Sequence, residues 1–597
     1  MNSSTPTTYA GGEAQADPAS SPKQASDPQM SHEANVIIEN SERHSSPTIE
    51  LPTQPSPSTQ KLTGNDIVLV MAPLCLSVLL SSLDLTIVTP AIPAIVNHFQ
   101  AVSGYIWVGG AFILANTAMT PVWGSVSDIY GRKPIMLIAM AVFLGGSLLC
   151  ALAPTMESLI AGRAIQGIGA SGMSTMVNVI ICDTFSLRDR GLYLAVTSIV
   201  WAVGSAVGPV IGGVFSTRLD WRWCFWINMP IGAVVLVMLA VFLKVPSANT
   251  PIAAGLKAID WTGSALIVGS ALMILLGLQF GGVTHPWSSV TVISLIVFGS
   301  AVVGIFIINE WRFAINPVIP LRLFSNRSSV AAFTVFSCNF YILIGLSYYL
   351  PLYSQSVLGA DALGSGLHLL PLIVSSSLTA ACTGAFIQRT GIYLPVMYVA
   401  QVILTLGAGL FLNLEYGEGL TKMFIFEIIT GVGVGMNMEP PLLAAQAASR
   451  ESDTAAVIAT MGFIRSIATA VAIVVGGVVF QNKMASSNSD LVKNIGAELA
   501  AAFYGNEATA NVEQIGSLPA VEQDTVRQVY YNALKAVWIV YVAVAGLSFL
   551  SNLFVRAHHL SRERKTVRFG IDRTRRSHQE TESPAGPHGI ELVRLRD

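Results

Sequence analysis

Charge is scarce in this sequence. Only 11% of its 597 residues are Asp, Glu, Lys or Arg, against about 25% in an ordinary soluble domain. A chain that is 52% hydrophobic, with a mean hydropathy of +0.59, has too little polar surface to cover itself in water, so the bilayer is its expected solvent. A net charge of −2 gives no electrostatic footprint for nucleic acid. Cysteine is sparse as well: Cys75, Cys150, Cys182, Cys224, Cys338 and Cys382 stand apart with no CxxC pair. That excludes a zinc framework or a disulfide scaffold and leaves them as small packing residues. The histidines form no cluster with acidic residues, which argues against a metal site and against a polytopic enzyme. No GxxxxGK[ST] loop is present, so ATP-driven pumping would need a partner, and no cofactor is expected. The first ~30 residues hold neither a basic start nor an apolar centre, so no cleaved signal peptide is read there.

What the chain has instead is a succession of long apolar runs. A helix crosses a bilayer with ~20 mostly apolar residues. Such runs lie roughly at 67–96, 104–123, 134–153, 157–181, 191–215 and 225–243, then at 261–280 and 289–310. Six more follow near 329–354, 364–387, 393–412, 421–443, 454–481 and 536–556, which makes fourteen. The flanks differ in kind. Residues 1–65 are rich in Ser, Thr and Pro and read as a disordered tail, and 557–597 form a basic tail containing "RERKTVRFGIDRTRR". With the amino terminus in the cytoplasm, the short inner connections carry Arg132, Lys133, Arg188, Arg190, Lys244, Lys257, Arg312, Arg322, Arg327, Arg389 and Arg450. The short outer ones carry Arg218, Arg222 and Lys422, so the charge asymmetry places both tails inside. One long outer segment, 482–535, includes "GAELAAAFYG" and is expected to form short helices on the outer surface.

The runs divide as six, two and six. "GSVSDIYGRK" (124–133) is echoed by "GAFIQRTGIY" (384–393), aligning Gly124 with Gly384 and Gly131 with Gly391. "RAIQGIG" (163–169) is echoed by "EIITGVG" (427–433), aligning Arg163 with Glu427. Both echoes fall at matching places in a six-span set, the signature of an internal duplication. The expected architecture is an all-α polytopic membrane protein. Its parts are a six-helix bundle over 66–243, a linker with two extra helices over 244–328, and a second bundle over 329–556.

Several stretches together resemble a known family. "GSVSDIYGRKPIML" is similar to the turn between the second and third helices of the major facilitator superfamily, and "DLTIVTPAIPAI" (84–95) resembles the first helix of its fourteen-helix drug:proton antiporters. "GRAIQGIGAS" (162–171), "GSAVGPVIGG" (204–213), "WRWCFWINMPIG" (221–232) and "PLRLFSNRS" (320–328) are similar to motifs of the same group, and the polar amino tail resembles the fungal toxin and drug efflux pumps. The resemblance implies a monomer that exports small lipophilic compounds, using the proton gradient as its energy source, in the cell membrane or the vacuolar membrane. An importer of a siderophore or basic amino acid in the same fold, and a non-transporting membrane sensor, stay open as alternatives.

Roles follow for individual residues. Asp84, two thirds along the first span, is a carboxylate in hydrocarbon and the first candidate for proton coupling. Arg163, near the outer end of the fourth span, either tunes a nearby carboxylate or snorkels to the interface. Gln166, one turn on, is a candidate cavity and substrate contact. Glu427 and Arg465 are the matching candidates of the second half, while Glu439, before Pro440 and Pro441, reads as local. Gly124, Asp128, Gly131, Arg132, Lys133 and Asp183 form a gating set. In it the glycines bring helices two and three together, Asp128 meets a helix end of the other half, and Arg132 pairs with Asp183. The alternative is that this turn serves topology alone. Gly204, Gly208 and Gly212 recur every fourth residue beside Pro209, which suits a smooth, bendable helix packed on its partner in the other half.

Overall fold

Lipid offers the backbone nothing to bond with, so an apolar run in a membrane closes its hydrogen bonds within itself as a helix. The computed structural model describes residues 64–560 apart from 101–103, 244, 246–249, 283–284, 415, 418, 506–507, 509–510 and 559. The amino tail and nearly all of the carboxyl tail therefore lie outside the described residues. Fourteen long helices run along the described chain: α1 (Gly64–Ile87), α2 (Gly104–Tyr130), α3 (Arg132–Ala151), α4 (Met156–Thr184), α5 (Arg190–Arg218), α6 (Asn228–Phe242), α7 (Trp261–Phe280), α8 (Val290–Arg312), α9 (Arg327–Ser356), α10 (Leu370–Thr390), α11 (Leu394–Leu410), α12 (Leu420–Met436), α13 (Thr454–Ser486) and α14 (Ala520–Asn552). Thirteen of the described helices, taken with their short extensions, are long and apolar enough to cross a membrane. The remaining long helix is α2, which carries Asn116, Thr117, Thr120 and Asp128. Its 27 residues still span about 40 Å at ~1.5 Å each.

The helices pack as two bundles with a hairpin beside them. In the first, α4 lies between α2 and α3, α1 runs along α5, and α6 closes against α1 and α3. In the second, α12 lies between α10 and α11, and α14 packs on α9 and α11. The extra pair α7–α8 forms a hairpin that leans through α7 on α2 and α13. Two seams join the bundles, α2 on α13 and α5 on α10.

Each seam has a glycine at its tightest point. A Cβ on Gly124 of α2 would stand 2.6 Å from the Cβ of Ala459 on α13, and one on Gly384 of α10 would stand 2.7 Å from the carbonyl oxygen of Gly191 on α5. The two aligned glycines thus perform one task in the two halves. The expectation for Gly124 is corrected here: it faces the second bundle, not α3. Gly131 serves the α2–α3 turn, where its φ of 90° is open to glycine and strained for other residues. Its counterpart Gly391 has φ 75°.

The glycine stripe of α5 also turns out differently. Gly204, Gly208 and Gly212 abut Ser82, Thr86 and Ile87 of α1, so the smooth face packs inside the first bundle and not against the other half. A different face of α5 meets α10. Pro209 lies within α5 on an exposed face, and the helix runs through it from Arg190 to Arg218.

The long outer segment is shorter than expected. Helices α13 and α14 each reach 33 residues, because polar residues beyond the hydrocarbon zone continue a helix as readily as apolar ones. Between them lie short helices at Asn488–Ile495 and Ala497–Ala502 and a 3₁₀ turn at Val512–Ser517. Their Leu491, Phe503 and Ile515 are buried in the core of the second bundle. The first span is interrupted in turn: Pro90 starts a 3₁₀ turn at Thr89–Ala91, and a short helix, Ile92–Phe99, completes it.

The stripe gives a sharp contrast between neighbours. A methyl at Gly212 collides with the carbonyl oxygen of Ile87, backbone that has no rotamer to move into, whereas one at Gly213 has nothing within 4 Å. Gly212→Ala is expected to cost about 1–3 kcal/mol, and Gly213→Ala to stay within about 0.5 kcal/mol. Thermal melting of the detergent-solubilised proteins followed by size-exclusion chromatography checks this, and equal melting points would contradict the packing.

Candidate functional site

The first bundle encloses a polar cluster in apolar surroundings. Asp84 is 0% exposed on α1, and Arg163 of α4 is 1% exposed. The guanidinium Nη1 lies 2.7 Å from Asp84 Oδ2, donates to Gln166 Oε1 at 2.8 Å, and leaves Nε to donate to the Val108 carbonyl at 3.0 Å. Gln166 Nε2 donates to Asp84 Oδ1 at 2.6 Å and to Ser147 Oγ at 2.7 Å. Asn228 Nδ2 donates to the same Asp84 oxygen at 2.7 Å. The ring of Phe112 lies 4.4 Å from the guanidinium carbon. Five helices contribute to the cluster, and three side chains donate to the carboxylate, of which Arg163 carries the matching charge. Arg163 points into this cluster, so the snorkelling alternative falls. Gln166 is fully buried with both ends of its amide engaged, which places it inside the cluster and away from an open cavity wall. Sequence reasoning missed Asn228 and Ser147, whose signal was a polar residue standing alone in an apolar run.

At the α2–α3 turn, Arg132 is 1% exposed and holds three partners. Its Nε lies 2.7 Å from Asp183 Oδ2 at the end of α4, and Nη1 lies 2.7 Å from both Asp128 Oδ1 and Ser127 Oγ. The next residue works elsewhere: Lys133 Nζ donates to the Ala240 carbonyl at 2.7 Å, satisfying an acceptor in the last turn of α6. The turn thus ties α2 to α4 and, through Lys133, to α6.

Hydrogen bonds between the bundles cluster at this same end. Arg188 Nε donates to the Gln388 carbonyl at 2.8 Å and Nη2 to that of Arg389, covering acceptors at the end of α10. Gln388 Nε2 donates to Asp189 Oδ1 at 3.0 Å, and Arg190 Nη1 to Gln446 Oε1 at 2.9 Å. Ser198 Oγ donates to Glu439 Oε1 at 3.1 Å. This corrects the reading of Glu439 as local: the break in the chain at Pro440 turns its carboxyl across the seam toward α5. The short run 186–198, of which the sequence pattern marks only the basic charges Arg188 and Arg190, supplies most of the first bundle's side of the seal.

The second bundle holds its charges less tightly. Glu427 is 0% exposed, and neither carboxyl oxygen has a hydrogen-bond partner within bonding distance, although the Leu372 amide on α10 is directed toward it. Arg465 on α13 is partly exposed, with its guanidinium carbon 5.3 Å from the centre of the Phe340 ring. It feels the charge of Glu439 from beyond ion-pair distance. The structure brings Asp84, Arg163 and Gln166 together, and Asp128, Arg132 and Asp183; it does not join Glu427 to Arg465.

A buried pair is tested by removing one partner. Arg163→Gln leaves the Asp84 carboxylate without its counter-ion, expected to cost about 3–5 kcal/mol of stability. Asp84→Asn in the same chain should recover much of that loss, measured by melting of the single and double variants. A double variant no more stable than Arg163→Gln alone would count against the pair as a matched ion pair.

Comparison with known proteins identifies the family. The family model described as Major Facilitator Superfamily matches residues 74–473. The chain is 44% identical over 506 residues to the efflux pump dotC of Dothistroma septosporum, covering 85% of this chain and 87% of that protein. It is 40% identical over 518 residues to the MFS-type transporter ppz2 of Metarhizium majus, covering 86% and 89%. To the efflux pump FUS6 of Gibberella moniliformis it is 33% identical over 546 residues, covering 90% and 95%. Among solved structures, the proton:xylose symporter XylE has the same fold, with a TM-score of 0.51 at 12% identity over 81% of this chain and 95% of that one. With the match running through both bundles, the chain belongs to the major facilitator superfamily.

Proposed function

We propose that this transporter is a proton-coupled exporter of small lipophilic compounds, working by alternating access in a cell membrane with both termini in the cytoplasm. The vacuolar membrane is the second location the reading allows. The observation that carries it is the seal at the α2–α3 turn end, where a carboxyl, Glu439, is itself one of the contacts between the bundles. The relatives named efflux pumps support the direction of transport. The basic residues of the inner connections support taking the sealed end as cytoplasmic.

In this reading the conformation is closed to the cytoplasm. Opening inward parts both seams and breaks the bonds of Arg188, Arg190 and Ser198 to the second bundle. Protonation of Glu439 removes the charge that Ser198 and Arg465 face, so proton binding and gate opening act on one contact. Asp84 exchanges a proton only by giving up Arg163, which moves α1 relative to α4. Glu427, at the place that corresponds to Arg163, serves as a second proton-handling carboxyl. Arg132 with Asp128 and Asp183 keeps α2 and α4 moving as one body. Cargo is held by apolar contact, with the Phe340 ring and Arg465 as its polar-edge partners, and no cofactor takes part.

The test is efflux of a panel of fluorescent lipophilic compounds from cells producing the protein, with and without a protonophore. Wild type is expected to lower cell content, the protonophore to abolish the effect, and Glu427→Gln and Arg132→Gln to reduce the rate by about tenfold or more at normal surface levels. Efflux that continues undiminished with the proton gradient collapsed would refute the coupling.

A further inference from the structure

The interior of the second bundle contains polar side chains that the transport cycle above leaves unused. Asn339 on α9, Gln401 on α11, Asn437 at the end of α12, and Ser548 and Asn552 on α14 are each 0% exposed. Eight of their nitrogen and oxygen atoms lack a hydrogen-bond partner: Asn339 Oδ1, the Ser548 hydroxyl, and both amide atoms of Gln401, Asn437 and Asn552. In a dry core each such group costs about 1–3 kcal/mol. So many together call for a shared partner.

The helix register puts them on neighbouring levels. Gly407 of α11 abuts Thr430 of α12, and Gly433 abuts Leu404, so these antiparallel helices bring Gln401 level with Asn437. Asn339 donates to the Val434 carbonyl at 3.2 Å, one turn before Asn437. The Tyr393 hydroxyl, just before α11, donates to the Arg556 carbonyl at 2.8 Å and accepts from the His558 amide at 2.9 Å. That contact ties the start of α11 to the chain just past α14, so Gln401, two turns into α11, lies in the same half of the bundle as Ser548 and Asn552 in the last two turns of α14.

We propose that these residues line a water-filled chamber that carries protons between Glu439 and the cytoplasmic end, apart from the route taken by cargo. The proton-path part rests on the proton-coupled reading above. Water suits the lining because the free groups are neutral amides and a hydroxyl, each amide offering donors and acceptors at once. A metal ion would leave the amide N–H groups unmet, and an apolar ligand would leave all of them unmet. The location suits protons. Glu439 stands two residues from Asn437 and faces the sealed seam, so a proton has no exit along the closed cargo route. The polar layer leads away from that seam to Asn552, directly before Leu553, which is 52% exposed.

Hydroxyl-radical footprinting by X-ray pulses reads bound water directly, because radicals formed in place label adjacent side chains. Met397, one turn from Gln401 on α11 and 0% exposed, is the reporter. Met140 and Met173, also 0% exposed and in the same apolar cluster as Met397 but carried by the first bundle, away from the polar layer, are the controls. The protein in lipid nanodiscs is expected to label Met397 about tenfold faster than the controls, with the excess lost in a folded Gln401→Leu variant. In proteoliposomes with a trapped pH dye, that variant should slow proton movement driven by a transported fluorescent compound about tenfold. Counterflow of the same compound without a proton gradient should stay at the wild-type rate. Met397 labelled as slowly as the controls would overturn the chamber. Labelled Met397 with undiminished proton movement in Gln401→Leu would overturn the path. Labelled Met397 with no proton movement in wild type would overturn both the path and the proton-coupled reading, leaving the hydrated chamber standing.

Discussion

A bilayer gives a polar atom nothing to bond with, and almost every feature of this protein is a response to that constraint. The backbone answers it by folding as helices. Side chains such as Asp84 and Arg163 answer it by meeting each other at 2.7 Å, with Gln166, Ser147 and Asn228 closing the remaining bonds. Helices in lipid gain no hydrophobic drive from associating, so close van der Waals contact has to hold them, and the glycines at the seams permit it.

The two seams express a rough two-fold relation between the bundles. Gly124 on α2 meets α13, and Gly384 on α10 meets α5, at equivalent points in the two halves. Gly131 and Gly391, seven residues further in each case, both take positive φ. The polar chemistry around this frame is not duplicated. On one side Arg132 holds two carboxylates within its own bundle, whereas on the other Arg188 reaches across to the end of α10. The backbone relation is shared by the two halves; the side chains that bridge them are not.

A second asymmetry concerns how completely polar groups are satisfied. The Asp84 cluster uses nearly all of its donors and acceptors, which makes it a rigid element that resists rearrangement. The second bundle buries Glu427, Gln401 and Asn437 with their polar atoms free. One half thus holds a well-matched ion pair, and the other holds polar groups with fewer bonds.

Much of the fold was legible in the sequence because the length of an apolar run and the charge of its flanks are local properties. The fourteen helices, the six-two-six order and the duplication needed no knowledge of contacts. The Arg132, Asp128 and Asp183 set was readable too, since three charges beside apolar helices have few places to go. What tertiary structure alone decided is which face each helix presents and to whom. The α5 glycines could serve any close neighbour, and only packing turned them to α1. The carboxyl of Glu439 depends on the angle the chain takes at Pro440, and Asn228 reaches Asp84 across a sequence separation of 144. Periodicity records that a residue is buried; its partner lies elsewhere in the chain, and only the packing of the helices brings the two together.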